Sequence, residues 1–531
     1  MKTPRPSTRS ASLHAAAMLI LGLNLTAAFA ENSPPAKPEI APGPFTADVN
    51  SLRQYECPEW FRDAKFGIWS HWGPQCVPED GDWYARRLYM SGNPKPRFGP
   101  PIFEADSKPD RGYKLHTERY GHPSKVGFKD IIPLWKAERW DPEALMDLYV
   151  KAGAKYFVSM AVHHDNFDLW NSRHQPRWNS TQTGPMRDVV ADWQKAARKR
   201  GLHFGVSEHL AASFTWYQVN KGADLTGPLA GVPYDGNNPQ YQDLYHPPTF
   251  PDDNEWLTKN PAFHATWFKR IQDLVDSYSP DLLYSDSKLP FGRTGTSLVA
   301  HYYNKSAAQN GGRVNVVYNC KEDPQPTGWV RDIERGVAMG ISPQPWQTDT
   351  SIGDWYYRKG EKYLTATQII HMLADIVSKN GNLLINVVQK ADGEITPEAR
   401  EALEQIAAWI AINGEAIYAT RPWQVYGDGP SVTEKPEAGR FGGAKDVRSK
   451  PYTAEDIRYT RSKDGRTVYA ILMAWPAGTI TLPSMVVKNA SSQAQVRLLG
   501  HDAPLKHRTY EQGQLVVELP AAAPTAHASS V

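Results

Sequence analysis

Between about residues 55 and 425 the chain alternates short apolar runs, rich in β-branched and aromatic residues, with longer stretches that place apolar residues three and four positions apart. Strand and helix periods in that order predict a parallel α/β sheet or a (β/α)8-like barrel. The predicted strands are Phe66–Trp72, Lys155–His164, Leu202–Ser207, Leu282–Asp286, Val314–Tyr318 and Asn382–Val387. Pro142–Ala152, Val189–Arg200, Ala262–Tyr278 and Pro397–Ile412 have the spacing of amphipathic helices. Barrel active sites are built where strands end, and His71, His163, His164, Glu208 and Asp286 all fall there.

Past Arg421-Pro-Trp423 the pattern changes to short alternating runs separated by Gly and Pro: Thr467–Leu472, Thr479–Leu482, Ala494–Leu499 and Gln514–Leu519. These predict a small C-terminal antiparallel β-sandwich. Two polar insertions, Asn93–Pro123 and Asn220–Pro251, are longer than ordinary connections and read as binding walls. The N-terminus has a basic start (Lys2, Arg5, Arg9), an apolar run from Ala15 to Leu25 and the small-x-small triplet Ala28-Phe29-Ala30, which together predict a signal peptide cleaved after Ala30. A membrane anchor needs about 20 apolar residues, and this run is shorter and broken by Asn24 and Thr26. The expected organisation is signal peptide 1–30, linker 31–50, catalytic barrel 51–425, sandwich 426–523 and tail 524–531, with the mature protein periplasmic or extracellular and free of the membrane.

The 59 basic and 57 acidic residues are dispersed and leave a net charge of +2, which argues against a nucleic-acid partner. The 18 Trp and 25 Tyr suit either a large aromatic core or stacking against sugar rings. Cys57, Cys76 and Cys320 form no C-x-x-C motif; an oxidising compartment permits a Cys57–Cys76 bridge, and buried free thiols are equally compatible.

Hydrolysing a glycoside with retention requires two carboxyl groups about 5–5.5 Å apart. Asp286 closes a run of mostly apolar residues, so its carboxylate is expected to face the barrel mouth. An isolated Asp at a strand end is more often a turn or helix cap, and the surrounding sequence changes that balance. The segments Asp63–Gly73, Asp82–Arg86, His163–Trp170, Trp178–Ser180 with Gly184–Asp188, Pro280–Asp286, Pro345–Thr348, Ser378–Asn386 and Asn413–Tyr418, in that order, resemble the α-L-fucosidases of glycoside hydrolase family 29.

The resemblance implies a (β/α)8-like catalytic domain followed by a β-sandwich, and a retaining exo-α-L-fucosidase acting without a cofactor on terminal fucose of oligosaccharides or glycoconjugates. It implies Asp286 as nucleophile, His71, His163 and His164 as ligands of the fucose hydroxyls, and Trp72 and Trp83 as aromatics of the site. Tyr284 stands where the family usually has Trp, and Asp82 where it commonly has Glu. Glu208 and His209 are assigned to the pocket wall. Glu334, in Asp332-Ile-Glu-Arg-Gly336, is the expected acid/base, with Glu322 and Glu208 as alternatives and a salt bridge to Arg335 as the competing structural role. Two rival readings remain: a fucose-binding protein that has lost catalysis, and a metal-dependent hydrolase in which His71, His163, His164 and Asp286 hold zinc.

Overall fold

In a computed structural model of the chain, the residues described are 1, 38–91, 109–250, 252–253, 255–323, 327–486, 495–510 and 513–531. The signal-peptide reading and much of the Asn93–Pro123 insertion lie outside them. Eight parallel strands close into a barrel: β1 Phe66–Ser70, β2 Tyr156–Val162, β3 His203–Glu208, β4 Leu282–Ser285, β5 Val317–Cys320, β6 Val330–Asp332, β8 Trp346–Ser351 and β9 Gly381–Asn386, with β9 pairing back onto β1. The two-residue β7, Gly336–Val337, lies outside the barrel. β2 (Tyr-Phe-Val-Ser-Met-Ala-Val) is buried along its whole length, as expected of a strand covered on both faces. Gly67 of β1 lets Tyr156 cross the barrel interior, since a Cβ at Gly67 would sit 2.3 Å from the tyrosine ring.

The expected helices are present as Pro142–Lys151, Val189–Lys199, Pro261–Tyr278 and Pro397–Asn413, capped by Asp141, Asp188, Asn260 and Thr396. Each cap side chain accepts a free N–H of the first turn. Arg293–Gln309 and Ala366–Ser378 complete the layer outside the sheet. The fifth strand runs three residues later than the expected Val314–Tyr318, and β6 and β8 were not foreseen. β8 reads Trp-Gln-Thr-Asp-Thr-Ser yet is entirely buried, because Gln347 and Asp349 bond to Tyr156, Asp332 and Tyr284 on neighbouring strands.

The C-terminal part forms two antiparallel sheets. One has the order β10 (Thr420–Asp428), β12 (Ile457–Ser462), β13 (Val468–Leu472), β17 (Ser529–Ser530), and the other β14 (Thr479–Val486), β16 (Gln514–Glu518), β15 (His507–Thr509). Ile457, Tyr459, Leu472, Ile480, Leu482 and Val517 fill the space between them. β10 begins at Thr420, so the sandwich starts before the expected boundary at 426. The expected tail is not free: Ser530 N–H bonds Asn413 Oδ1 at 3.0 Å, and β17 pairs with β13. The end of the expected linker is docked as well, with Phe45 buried and held through Asn304. Of the run Ala494–Leu499, residues 495–498 are not a strand, although Val496 and Leu498 join the core; Ala494 lies outside the described residues. Arg458 of β12 pairs with Asp375 of helix Ala366–Ser378 at 2.6 Å, both buried, and fixes the sandwich to the barrel. Cys57, Cys76 and Cys320 are free thiols.

Candidate active site

At the C-terminal ends of the strands, Asp286 follows β4 directly. His209 Nδ1 lies 2.9 Å and His164 Nε2 3.3 Å from its Oδ2, and the Tyr284 hydroxyl is 3.3 Å from its Oδ1. Lys321, the residue after β5, places its ammonium against both Asp286 Oδ1 and Glu334 Oε2. Two oxygens bonded to one nitrogen stand no further apart than two hydrogen-bond lengths, roughly 6 Å. That bound admits the ~5–5.5 Å of a retaining pair and falls short of the ~6.5–9.5 Å of an inverting one.

The environments push the two acids apart. Burial alone would raise Asp286, but His209, Lys321 and the histidine hydrogen bonds override it and hold its carboxyl well below the usual carboxylate range. Glu334 goes the other way: burial raises it, Lys321 opposes, and the charges of Asp349 and Asp286 add to the rise. One group ionised and its neighbour inclined to keep a proton is the division that nucleophile and general acid require. Burial depresses His209 to about 4 despite the attraction of Asp286.

The histidines form one wall. His71 and His163 have ring centroids 5.0 Å apart, and His163 and His209 4.9 Å apart. Gln75 Nε2 donates to His163 Nδ1 at 2.8 Å, which turns the Nε2–H of His163 toward Asp82 Oδ1, 3.7 Å away. His164 lies between two acceptors, the His209 carbonyl 2.7 Å from its Nδ1 and Asp286 Oδ2 3.3 Å from its Nε2. His71 Nδ1, Asp82 Oδ1 and His209 Nε2 are buried without a hydrogen-bond partner among the described residues. Buried polar atoms are rarely left so, and ring nitrogens beside a carboxylate suit hydroxyl groups, which both donate and accept. Trp83 closes the wall beside His164 and stacks on Trp256, its backbone held in the left-handed region at φ 63°, a conformation that costs about 1 kcal/mol outside glycine.

Two of the expected site residues lie elsewhere. Trp72 packs against Trp135 and Trp140 and donates to the Lys390 carbonyl at 2.9 Å; residues alternate along a strand, so with His71 in the mouth its neighbour faces outward. Glu208 is turned away from the pocket as well, its Oε2 accepting from Trp267 Nε1 at 3.1 Å and Ala211 N–H at 3.3 Å. Burial raises that carboxyl to about 7. Glu322 is tied to the Leu289 N–H at 2.9 Å. Neither alternative to Glu334 shares Lys321 with Asp286. Arg335, at φ 45°, swings away to the Gly353 carbonyl and the face of Trp355, so it is not the partner of Glu334. Tyr284, Asp82, Trp83, His71, His163, His164 and His209 lie together around Asp286.

The residues missed from sequence are Lys321, Asp349, Asp332 and Trp355. Lys321 directly follows a barrel strand, and placing that strand at Val314–Tyr318 hid it in a loop. Asp349 accepts from the Tyr284 hydroxyl at 3.1 Å and is raised by the charge of Asp332, to which Gln347 Nε2 donates at 2.7 Å. Trp355 stacks on His71 at 5.4 Å.

His71, His163 and His209, or His164, His209 and Asp286, bring nitrogen and oxygen ligand atoms within 4.8 Å of one another, close enough to hold an ion. The Lys321 ammonium already on Asp286 opposes a dication in the second set.

A parallel barrel whose strand ends bring an aspartate of lowered pKa and a glutamate of raised pKa onto one lysine has the make-up of a glycoside hydrolase. The family model for α-L-fucosidase matches residues 34–415, and that for the α-L-fucosidase C-terminal domain matches residues 450–531. The chain belongs to the α-L-fucosidase family. It is 29% identical to the tissue α-L-fucosidase of Homo sapiens over 536 residues, covering 99% of this chain and 97% of that protein. It is 28% identical to the plasma α-L-fucosidase of Rattus norvegicus, covering 88% and 89%. Among solved structures, Thermotoga maritima α-fucosidase in complex with fucose superposes with a TM-score of 0.65 at 26% identity, over 92% of this chain and 100% of that one.

Proposed function

We propose that the chain is a retaining exo-α-L-fucosidase working by double displacement. Asp286 attacks the anomeric carbon of a terminal α-linked fucose while Glu334 protonates the departing oxygen. Glu334 then deprotonates the water that cleaves the fucosyl ester. The observation that carries this reading is the single ammonium of Lys321 shared by Asp286 and Glu334. Asp82, His71, His163 and His209 take the sugar hydroxyls, and Trp83 and Trp355 take its apolar faces. The substrate is a fucosylated oligosaccharide or glycoconjugate, and the reaction uses no cofactor or metal. The basic, apolar and small-residue order of segment 1–30 supports export to the periplasm or beyond.

The test is chemical rescue. Asp286→Gly is expected to lower turnover by orders of magnitude, and azide is expected to restore it, yielding fucosyl azide. An Asp286→Gly enzyme that keeps its turnover, or one that azide does not restore, overturns the assignment.

A further inference from the structure

Between β10 and β12 the chain leaves the sandwich and returns to the barrel mouth. There β11, Ala444–Lys445, pairs antiparallel with β7, the strand that begins two residues after Glu334. The approach is close: a Cβ at Gly336 would meet the Gly442 carbonyl at 2.6 Å and the Ile333 side chain at 2.8 Å. Asp446 accepts from Thr350 of β8 at 2.8 Å and ties the other side of the loop to the barrel. The tip, Gly439-Arg440-Phe441-Gly442-Gly443, is closed by the Gly439 N–H on the Gly443 carbonyl at 3.0 Å.

Phe441 is 48% exposed although it lies beside Lys321, the residue that bridges Asp286 and Glu334. Its ring centroid is 5.5 Å from Lys321 Nζ, the nitrogen that bridges Asp286 and Glu334, and 5.1 Å from the Arg440 guanidinium. Cations at such distances hold an aromatic ring in place. The acid/base lies on the leaving-group side of a retaining site, so an apolar ring positioned beside it faces whatever the fucose is attached to. A sugar offers such a ring its C–H face while its hydroxyls remain in water.

We propose that Phe441 forms the leaving-group subsite, stacking on the sugar to which the fucose is joined, so that the region after the barrel supplies part of the substrate selectivity. The proposal rests on the fucosidase reading above. Its ligand class is an α-L-fucosyl oligosaccharide whose second residue is a pyranose, in contrast to a fucoside with a small leaving group.

The experiment compares wild type, Phe441→Ala and Phe441→Trp on a fucosylated disaccharide and on α-L-fucosyl fluoride, whose leaving group has no ring to stack. The ratio of kcat/KM for disaccharide over fluoride is expected to fall about three- to tenfold in Phe441→Ala, the size of one aromatic contact, and to recover in Phe441→Trp. An unchanged ratio in Phe441→Ala, whether both rates fall together or neither does, overturns the proposal; so does a ratio that Phe441→Trp leaves at the alanine value. Wild type that cleaves neither substrate would instead contradict the fucosidase reading itself.

Discussion

The Tyr284 hydroxyl joins Asp286 to an acid inside the barrel, lying 3.1 Å from Asp349 Oδ2 and 3.3 Å from Asp286 Oδ1. Burial and the adjacent Asp332 raise the Asp349 carboxyl far above the usual range, and burial pushes Asp332 up to about 6. The Tyr284 hydroxyl, the donor to both carboxylates, thus couples Asp286 to an acid that resists ionisation. Tryptophan, the usual family residue here, has no hydroxyl to complete such a chain.

Tyr284→Phe removes that donor. A hydrogen bond to a charged group is worth about 1.5–3 kcal/mol, so kcat/KM is expected to fall at least about tenfold. The acidic limb of its pH profile should also move upward, because Asp286 becomes easier to protonate. A profile superimposable on wild type would remove Tyr284 from the charge balance of the site.

Lys321→Met tests the bridge. The ammonium lowers both carboxyls it touches, so its loss should raise both. In a plot of kcat/KM against pH, the acidic limb set by Asp286 and the alkaline limb set by Glu334 should move up together, with a maximum lowered by about a hundredfold. A shift of one limb alone would separate Lys321 from one of the two acids.

Much of this was legible in the sequence, and the omissions have physical causes. β1, β2, β3, β4 and β9 are apolar and were located within a few residues. β6 is three residues long, and β8 is polar because Gln347 and Asp349 face a barrel interior that satisfies them through Tyr156, Asp332 and Tyr284, a pairing no local pattern reveals. The histidines and Asp286 stood out through motif order. Trp72 and Glu208 carried the right composition at strand ends but the wrong alternation: one residue beyond an inward side chain, the next points out. Phe441 lies about 155 residues from Asp286 in the chain, and only tertiary packing brings them near.

The Asp375–Arg458 pair should matter to stability and not to chemistry. Burial would raise Asp375, but Lys379 and Arg458 outweigh it and lower the carboxyl to about 2. A depressed acid stabilises the fold above its unfolded pKa and loses that contribution as the pH falls through the folded value. Its share, on the order of 2 kcal/mol, should therefore be intact at pH 5 and disappear as the pH drops from about 4 toward 2. Asp375→Asn leaves Arg458 buried without its counter-charge and should cost roughly 3–5 kcal/mol in unfolding experiments at pH 7. Unfolding indistinguishable from wild type would show that the pair adds nothing net.

Removal of metal should leave activity intact. After dialysis against a chelator, kcat for an aryl fucoside is expected to equal that of untreated enzyme, since Lys321 supplies the positive charge at Asp286. Activity lost on chelation and regained with zinc would restore the metal reading of the histidine wall.

The most direct test is the configuration of the first sugar released, followed by proton NMR before mutarotation equalises the anomers. Two displacements through Asp286 predict that α-L-fucose appears first and β-L-fucose grows in later. β-L-fucose as the initial product would mean a single displacement by water and would contradict the pairing of Asp286 with Glu334.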